Sequence, residues 1–292
     1  MKVLIYGHGG WIGQQLIDIF KKTTHQVILG ESRVDNKELV EKEINKIKPT
    51  NIISLVGRTH GIYNNKEYPT IDYLEQPGKI YENVRDNLFS PVVLAVLCNK
   101  YNIHLTYMGT GCVFQYDENH LFGQEENGFT ENSKPNFFGS GYSVVKGFTD
   151  ELMHLFDNCL NVRIRMPITS INNPRNFITK IVNYQKICSV PNSMTVLPEL
   201  LPIMIDMAER KLVGTINLTN PGLISHNEIL EMYKEQVDNI FTWSNFSIEE
   251  QNKILAAGRS NNYLDTTRLT TLYPNVKNIK DSIKEVLINY KL

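Results

Sequence analysis

Cysteine is scarce in this chain and the four present are spaced for neither disulfides nor metal. Cys98, Cys112, Cys159 and Cys188 contain no C-x-x-C pair and share no ligand spacing with histidine, so neither a disulfide frame nor zinc is indicated. Charge of one sign is also missing. Thirty Lys and Arg stand against 31 Asp and Glu, a net charge of −1, with no basic stripe. That balance excludes an electrostatic case for nucleic acid or a membrane surface and leaves small molecules as the expected partners. No apolar run approaches the 18 or so residues of a spanning helix. Lys2 is followed by only a few apolar residues before a glycine loop, unlike a signal peptide, and the expected location is cytoplasmic. Internal repeats and low-complexity segments are absent as well.

What is there is an alternation of apolar strands and amphipathic helices. The pattern predicts strands over 3–7, 26–29, 51–56, 104–109 and 161–166, with helices over 11–22, 36–47, 78–101 and 140–157. Such alternation means an α/β fold, a Rossmann-type doubly wound parallel sheet covered on both faces. After Met166-Pro167 the pattern loosens, because Pro174, Pro191, Pro198, Pro202 and Pro221 break it into short pieces. A smaller C-terminal substrate lobe over 169–292 is therefore expected beside a dinucleotide domain over 1–168, with some segments returning to the first domain. In the later part a strand is expected near 214–219, a helix from Ser225 to about 238 capped by Ser225 and Glu228, and a last helix near 280–290.

Ligand chemistry concentrates where strands end. Val3 to Tyr6 runs into Gly7-x-x-Gly10-x-x-Gly13 and then a helix, the arrangement that cradles a dinucleotide pyrophosphate at a helix N-terminus. Gly7, Gly10, Trp11, Ile12 and Gly13 are the candidate cofactor contacts. Past the second strand, Arg33 suits the 2′-phosphate of NADPH; if Arg33 is only a solvated surface charge, Glu31 would take the ribose diol and NADH would serve. Thr110 closes a strand, and 32 residues later Tyr142 is followed at four positions by Lys146. Four residues along a helix puts phenol and ammonium on one face, so the cation can lower the phenol pKa and reach the cofactor ribose. In this reading Thr110 hydrogen-bonds a substrate carbonyl and Tyr142 donates a proton as hydride arrives. His8, His60, His104, His154 and His226 lack a partner pattern and are expected to be structural or superficial.

These motifs resemble those of the extended short-chain dehydrogenase/reductases, and within them the nucleotide-sugar enzymes. Thr110-Gly-Cys-Val-Phe114 matches their Ser/Thr-x-x-Val-Tyr/Phe signature, and Asn87 falls where they carry a structural asparagine. Longer runs are similar to the bifunctional UDP-4-keto-6-deoxyglucose 3,5-epimerase/4-reductases: Arg165-Met-Pro-Ile168, Asn173-Pro-Arg-Asn-Phe-Ile-Thr-Lys180, Pro191-Asn-Ser-Met-Thr195, Asn220-Pro-Gly222 and Leu264-Asp-Thr-Thr-Arg268. The resemblance spans essentially the whole chain. It implies conversion of UDP-4-keto-6-deoxy-D-glucose to UDP-L-rhamnose, with a separate UDP-glucose 4,6-dehydratase supplying the keto-sugar. A homodimer through the helices around 78–101 and 140–157 would follow the habit of such relatives. A 4-reductase acting alone and a non-catalytic NADP-binding regulatory subunit are the alternatives.

Cys112 separates plain reduction from epimerisation with reduction. Buried cysteines are usually small core hydrophobes, but Cys112 lies two residues after Thr110 and so can face the same ligand. Protons on C3 and C5 are acidified by the C4 ketone, and a thiol of tuned pKa can remove or return one. The resemblance implies Lys180 as the second acid/base, on the far side of the sugar ring. Arg165, Asn176 and Arg259 are candidates for the UDP end, since diphosphates are recognised by guanidinium forks and amide donors. No metal is expected.

Overall fold

The computed structural model describes residues 1–291. In chain order the strands are β1 (Lys2–Tyr6), β2 (Gln26–Leu29), β3 (Asn51–Ser54), β4 (Gly61–Tyr63), β5 (Lys66–Tyr68), β6 (His104–Thr110), β7 (Cys159–Ile164), β8 (Pro167–Ile168), β9 (Thr195–Val196) and β10 (Gly214–Asn217). The helices are α1 (Trp11–Phe20), α2 (Lys37–Ile47), α3 (Ile80–Val84), α4 (Ser90–Lys100), α5 (Gly141–Met153), α6 (Phe177–Val182), α7 (Leu197–Glu209), α8 (His226–Gln236), α9 (Ile248–Ile254), α10 (Thr267–Leu272) and α11 (Ile279–Ile288). Six strands form one sheet in the order β10-β7-β6-β3-β1-β2. The pairs β1 with β2, β1 with β3, and β3 with β6 run parallel. This is the expected doubly wound sheet, and its order reverses at β1 and β3, where such folds bind ligands beyond the strand ends.

The chain divides into two compact units that are interwoven in sequence. Met1–Thr110, Ser140–Arg163 and Leu201–Ile216 make the first, while Gly111–Gly139, Ile164–Leu200 and Asn217–Leu292 make the second. The chain therefore changes unit as early as Gly111, well before the expected boundary after 168, and the segment Leu201–Ile216 returns to the first unit. In that unit the inner strands β3, β6 and β7 are buried along their whole length, as strands of a sheet covered on both faces are. Leu4, Ile52, Leu94, Leu105 and Tyr107 pack in its core. The second unit has its own core, with Ile168, Ile178, Met194, Ile224, Ile229 and Ile283 fully buried.

Two elements depart from the sequence expectation. The expected single helix over 78–101 is α3, a π turn over Arg85–Phe89, and α4 in unbroken succession. Asn87 sits in that turn: its amide donates to the Arg58 carbonyl and accepts from the Arg58 N–H, both at 2.9 Å, the structural role expected of it. Then α7 exists although it carries Pro198 and Pro202. Proline is tolerated in a first turn, where its missing N–H has no intrahelical partner. The cost of Pro202 is offset by the burial of Leu200, Leu201, Met204, Ile205, Met207 and Ala208. The Ser225–Glu228 capping box forms as expected at the start of α8.

Candidate active site

The glycine loop has the geometry its spacing predicts. Gly7 adopts φ +79°, and a Cβ there would lie 2.7 Å from the Leu55 carbonyl carbon. A Cβ on Gly13 would sit 2.5 Å from the Gly7 oxygen, so both positions exclude any larger residue. Gly9, in contrast, has nothing within 4 Å of its would-be Cβ, leaving an open cradle over the loop. Helix α1 begins at Trp11 and Ile12 with Gly10 as its cap, no side-chain cap and no acidic residue in its first turn. Its N-terminal N–H groups and dipole are thus left for an anion, and the loop fits a dinucleotide pyrophosphate. His8 uses its ring to contact the Gly30 carbonyl at 3.2 Å, a structural role. Past β2, Arg33 lines an open cavity of about 890 Å³ with Glu31, Ser32 and Lys37. Its side chain is 66% exposed and forks onto Asp35 at 3.1 and 3.2 Å.

Within the same unit, β6 carries Thr110, and α5 carries Tyr142 and Lys146, the residues expected to serve carbonyl chemistry. Thr110 is the last residue of β6 and is buried. Helix α5 is fixed at its start twice: the Ser140 hydroxyl accepts the Ser143 N–H at 3.0 Å, and the Glu75 carboxylate accepts the Gly141 N–H at 2.7 Å. Further along, the Thr149 hydroxyl donates to the Asn87 carbonyl at 2.6 Å. Tyr142 and Lys146 are 9% and 4% exposed. Lys146 Nζ donates to the hydroxyl of Tyr107 and lies 4.6 Å from the centroid of its ring. Tyr107 escaped sequence reasoning because an aromatic in an apolar strand reads as core, and nothing local marks its hydroxyl as a partner. Burial first, and the neighbouring Tyr142 next, push the Tyr107 phenol well above its ordinary pKa.

The second unit holds the remaining candidates. Cys112 is half-buried in the turn after β6, and its neighbours are pinned: the Gly111 N–H donates to the Ile164 carbonyl at 3.0 Å, and the Asn262 amide donates to the Gly111 and Phe114 carbonyls at 2.9 Å. None of the four cysteines is in a disulfide. Lys180, on α6, has its pKa lowered to about 8 by burial first, and then by the charges of Arg175 and Arg259. Desolvation and like charge both disfavour the ammonium, which is how a lysine becomes a usable base. Arg259 donates to the Ala257 carbonyl at 2.8 Å. It also lines a cavity of about 490 Å³ with Gln115, Tyr116, Phe122, Phe137 and Asn252.

Arg165 and Asn176 have scaffolding partners where the sequence reading expected diphosphate contacts. Arg165 is 1% exposed and its guanidinium donates to the carbonyls of Ser260 and Asn262 at 2.8 and 3.0 Å. Asn176 is fully buried, caps α6, and donates to the carbonyls of Thr169 and Ile171 at 2.8 and 2.9 Å. Residue type suggested anion binding; burial assigns these two to holding the segments around Arg259 and Lys180. Among the described residues, no three His, Cys, Asp or Glu side chains gather as a metal site. Nor is any described helix long and apolar enough to cross a membrane.

No family profile matches the chain. Individual proteins do. A bifunctional dTDP-4-dehydrorhamnose 3,5-epimerase/dTDP-4-dehydrorhamnose reductase from Arabidopsis thaliana is 43% identical over 281 residues, 96% of this chain and 90% of that protein. This chain belongs to the rhamnose-nucleotide 3,5-epimerase/reductase family. Another member, the protein L780 of Acanthamoeba polyphaga mimivirus, is 56% identical over 292 residues, 100% of this chain and 99% of its own length. The crystal structure of the mimivirus protein, described as a UDP-rhamnose synthase, superposes with a TM-score of 0.94, 55% identity and 99% coverage of both chains. The chain spans only 41% of a trifunctional UDP-glucose 4,6-dehydratase/3,5-epimerase/reductase of Arabidopsis thaliana, to which it is 44% identical. A dTDP-4-dehydrorhamnose reductase from Bacillus anthracis, solved with NADP, shares the fold at a TM-score of 0.79 and 20% identity over 99% of each chain. The family membership and the Rossmann-type architecture expected from the sequence are both borne out.

Proposed function

We propose that this family member converts UDP-4-keto-6-deoxy-D-glucose to UDP-L-rhamnose, by 3,5-epimerisation followed by NADPH-dependent reduction of the C4 ketone. The observation that carries the reading is that one chain holds two complete residue sets. Thr110, Tyr142 and Lys146 in the first unit serve reduction, and Cys112 with a pKa-lowered Lys180 in the second serve proton exchange. A reductase acting alone has no use for the second set, and a regulatory subunit has no use for either. The name of the 55% identical mimivirus structure favours UDP as the nucleotide.

When bound, NADPH supplies a hydride to C4; the open loop over Gly9, the uncapped start of α1 and Arg33 would hold it. The chain's own residues do the rest. Cys112 and Lys180 remove and return the C3 and C5 protons, which the adjacent ketone makes acidic. With a pKa near 8, Lys180 keeps a usable fraction neutral around neutrality and can act as base without external activation. Thr110 donates a hydrogen bond to the C4 carbonyl oxygen, stabilising charge that develops there. Tyr142 gives its proton to that oxygen during reduction, and the Lys146 ammonium one turn away stabilises the phenolate left behind. Arg259, with Tyr116, Phe122 and the amides around it, offers a guanidinium beside aromatic faces, suited to the nucleotide end of the substrate. The substrate is the product of a 4,6-dehydratase reaction, so such an enzyme is the pathway partner. Exposed Ile80, Tyr81, Phe89 and Phe148 on α3, the π turn and α5 form the surface for a homodimer.

Product identification tests this reading. Incubating the protein with UDP-4-keto-6-deoxyglucose and NADPH, followed by NMR, should show UDP-L-rhamnose. A deoxyhexose of D configuration would leave only the reductase, no NADPH oxidation would remove the reduction, and no deuterium exchange into the keto-sugar would remove the epimerisation.

A further inference from the structure

The reductive residues of the first unit contain a fourth side chain that neither the sequence motifs nor the family description assigns. Lys146 is an ammonium only 4% exposed, and a buried cation needs acceptors to remain charged. Tyr107 meets it through its hydroxyl oxygen, which accepts from Nζ at the polar edge of the ring. Tyr107 is itself 1% exposed in the middle of β6, packed among core residues, so its oxygen cannot swing away. Burial keeps its phenol neutral far into the alkaline range, so it presents an acceptor throughout the working pH range. The juxtaposition comes from the two elements: β6 carries Tyr107 and Thr110, and α5 carries Tyr142 and Lys146. A strand residue in the centre of the sheet thus anchors the helix residue that tunes the acid.

We propose that Tyr107 is a positioning residue of the reductive site, whose hydroxyl holds the Lys146 ammonium and thereby fixes where it stands relative to Tyr142. The inference rests on the reductase reading given above. It acts through Lys146, so Tyr107 needs no contact with the sugar.

The test is Tyr107→Phe, which keeps the ring and removes one oxygen. Reduction requires protonated Tyr142, so its rate falls as pH rises through that group's apparent pKa, and a well-held ammonium keeps that pKa low. Loss of the Tyr107 oxygen should lower kcat about tenfold, the ratio carried by one hydrogen bond to a charged group. It should also move the alkaline limb of the kcat profile upward by roughly one pH unit, with KM for the keto-sugar within about twofold. Circular dichroism and thermal melting establish that the variant is folded. Unaltered kcat and pH profile, or a fall in kcat with the alkaline limb unmoved, would overturn the proposal by showing that the hydroxyl is inert or only structural. If the unmodified protein fails to oxidise NADPH with the keto-sugar, the functional reading falls instead, and the two failures are told apart by the parent enzyme.

Discussion

Asp150 on α5 and Arg163 on β7 form a two-pronged ion pair in nearly complete burial, with Nε to Oδ1 at 2.9 Å and Nη2 to Oδ2 at 2.6 Å. The Asn161 amide adds a third bond to Asp150 at 2.7 Å. Asp150 follows Tyr142 and Lys146 at four-residue steps, so it ties the face of α5 that carries them to the sheet. Removing one partner of such a pair strands a buried charge. Asp150→Ala is expected to lose about 3–5 kcal/mol of stability in a denaturant titration. A loss under about 1 kcal/mol would mean that Arg163 finds water or another acceptor.

Under the proposed function, cofactor choice hinges on Arg33. The guanidinium fork is exposed and leans on Asp35, ready to exchange that carboxylate for a 2′-phosphate. Arg33→Ala should reduce kcat/KM for NADPH by about 10-fold to 100-fold, the value of a charge-assisted bond, while leaving NADH nearly unchanged. Equal losses with both cofactors would move the 2′-phosphate elsewhere.

Under the proposed function, Lys180 gives the epimerisation a pH signature. Its ammonium is destabilised by burial, then by Arg175 and Arg259, and its pKa falls to about 8. A base works in its neutral form, so exchange assigned to Lys180 should rise with pH and level off above about 8. Arg175→Gln removes one repelling charge, which raises the Lys180 pKa and carries the rising limb upward. The profile can be read from deuterium exchange into the keto-sugar without cofactor. A downward move of the limb would contradict the assignment.

Phe148 is 61% exposed on α5, and Phe89, Tyr81 and Ile80 of the same unit are exposed as well. Light scattering coupled to size-exclusion chromatography should report a dimer for the parent chain. Phe148→Asp should shift the mass toward the monomer, because an unpaired carboxylate at an apolar contact costs several kcal/mol. A monomeric parent would remove this surface from assembly.

The glycine loop and the helix carrying Tyr142 and Lys146 were legible in the sequence because their signals are local. A glycine loop between strand and helix, and a tyrosine four residues before a lysine, carry their geometry in their spacing. Tyr107 was invisible for the opposite reason: its meaning comes from α5, which folds against it from 39 residues downstream. Arg165 and Asn176 show the same limit from the other side, since their chemistry matches a diphosphate but their burial commits them to backbone carbonyls. Helix α7 was hidden by Pro202, whose local preference is overruled by the apolar face that α7 buries. The early change of unit at Gly111 follows from contacts distant in sequence, such as those of Asn262 with Gly111 and Phe114, which no local pattern announces.

The central claim is that one chain epimerises and then reduces, and isotope incorporation tests it most directly. Reaction of UDP-4-keto-6-deoxyglucose with NADPH in deuterated buffer should give UDP-L-rhamnose carrying deuterium at both C3 and C5. Cys112→Ala should abolish that labelling while still reducing an already epimerised keto-sugar. Product with no deuterium at either carbon, or labelling undiminished at both in the Cys112→Ala protein, would contradict the account.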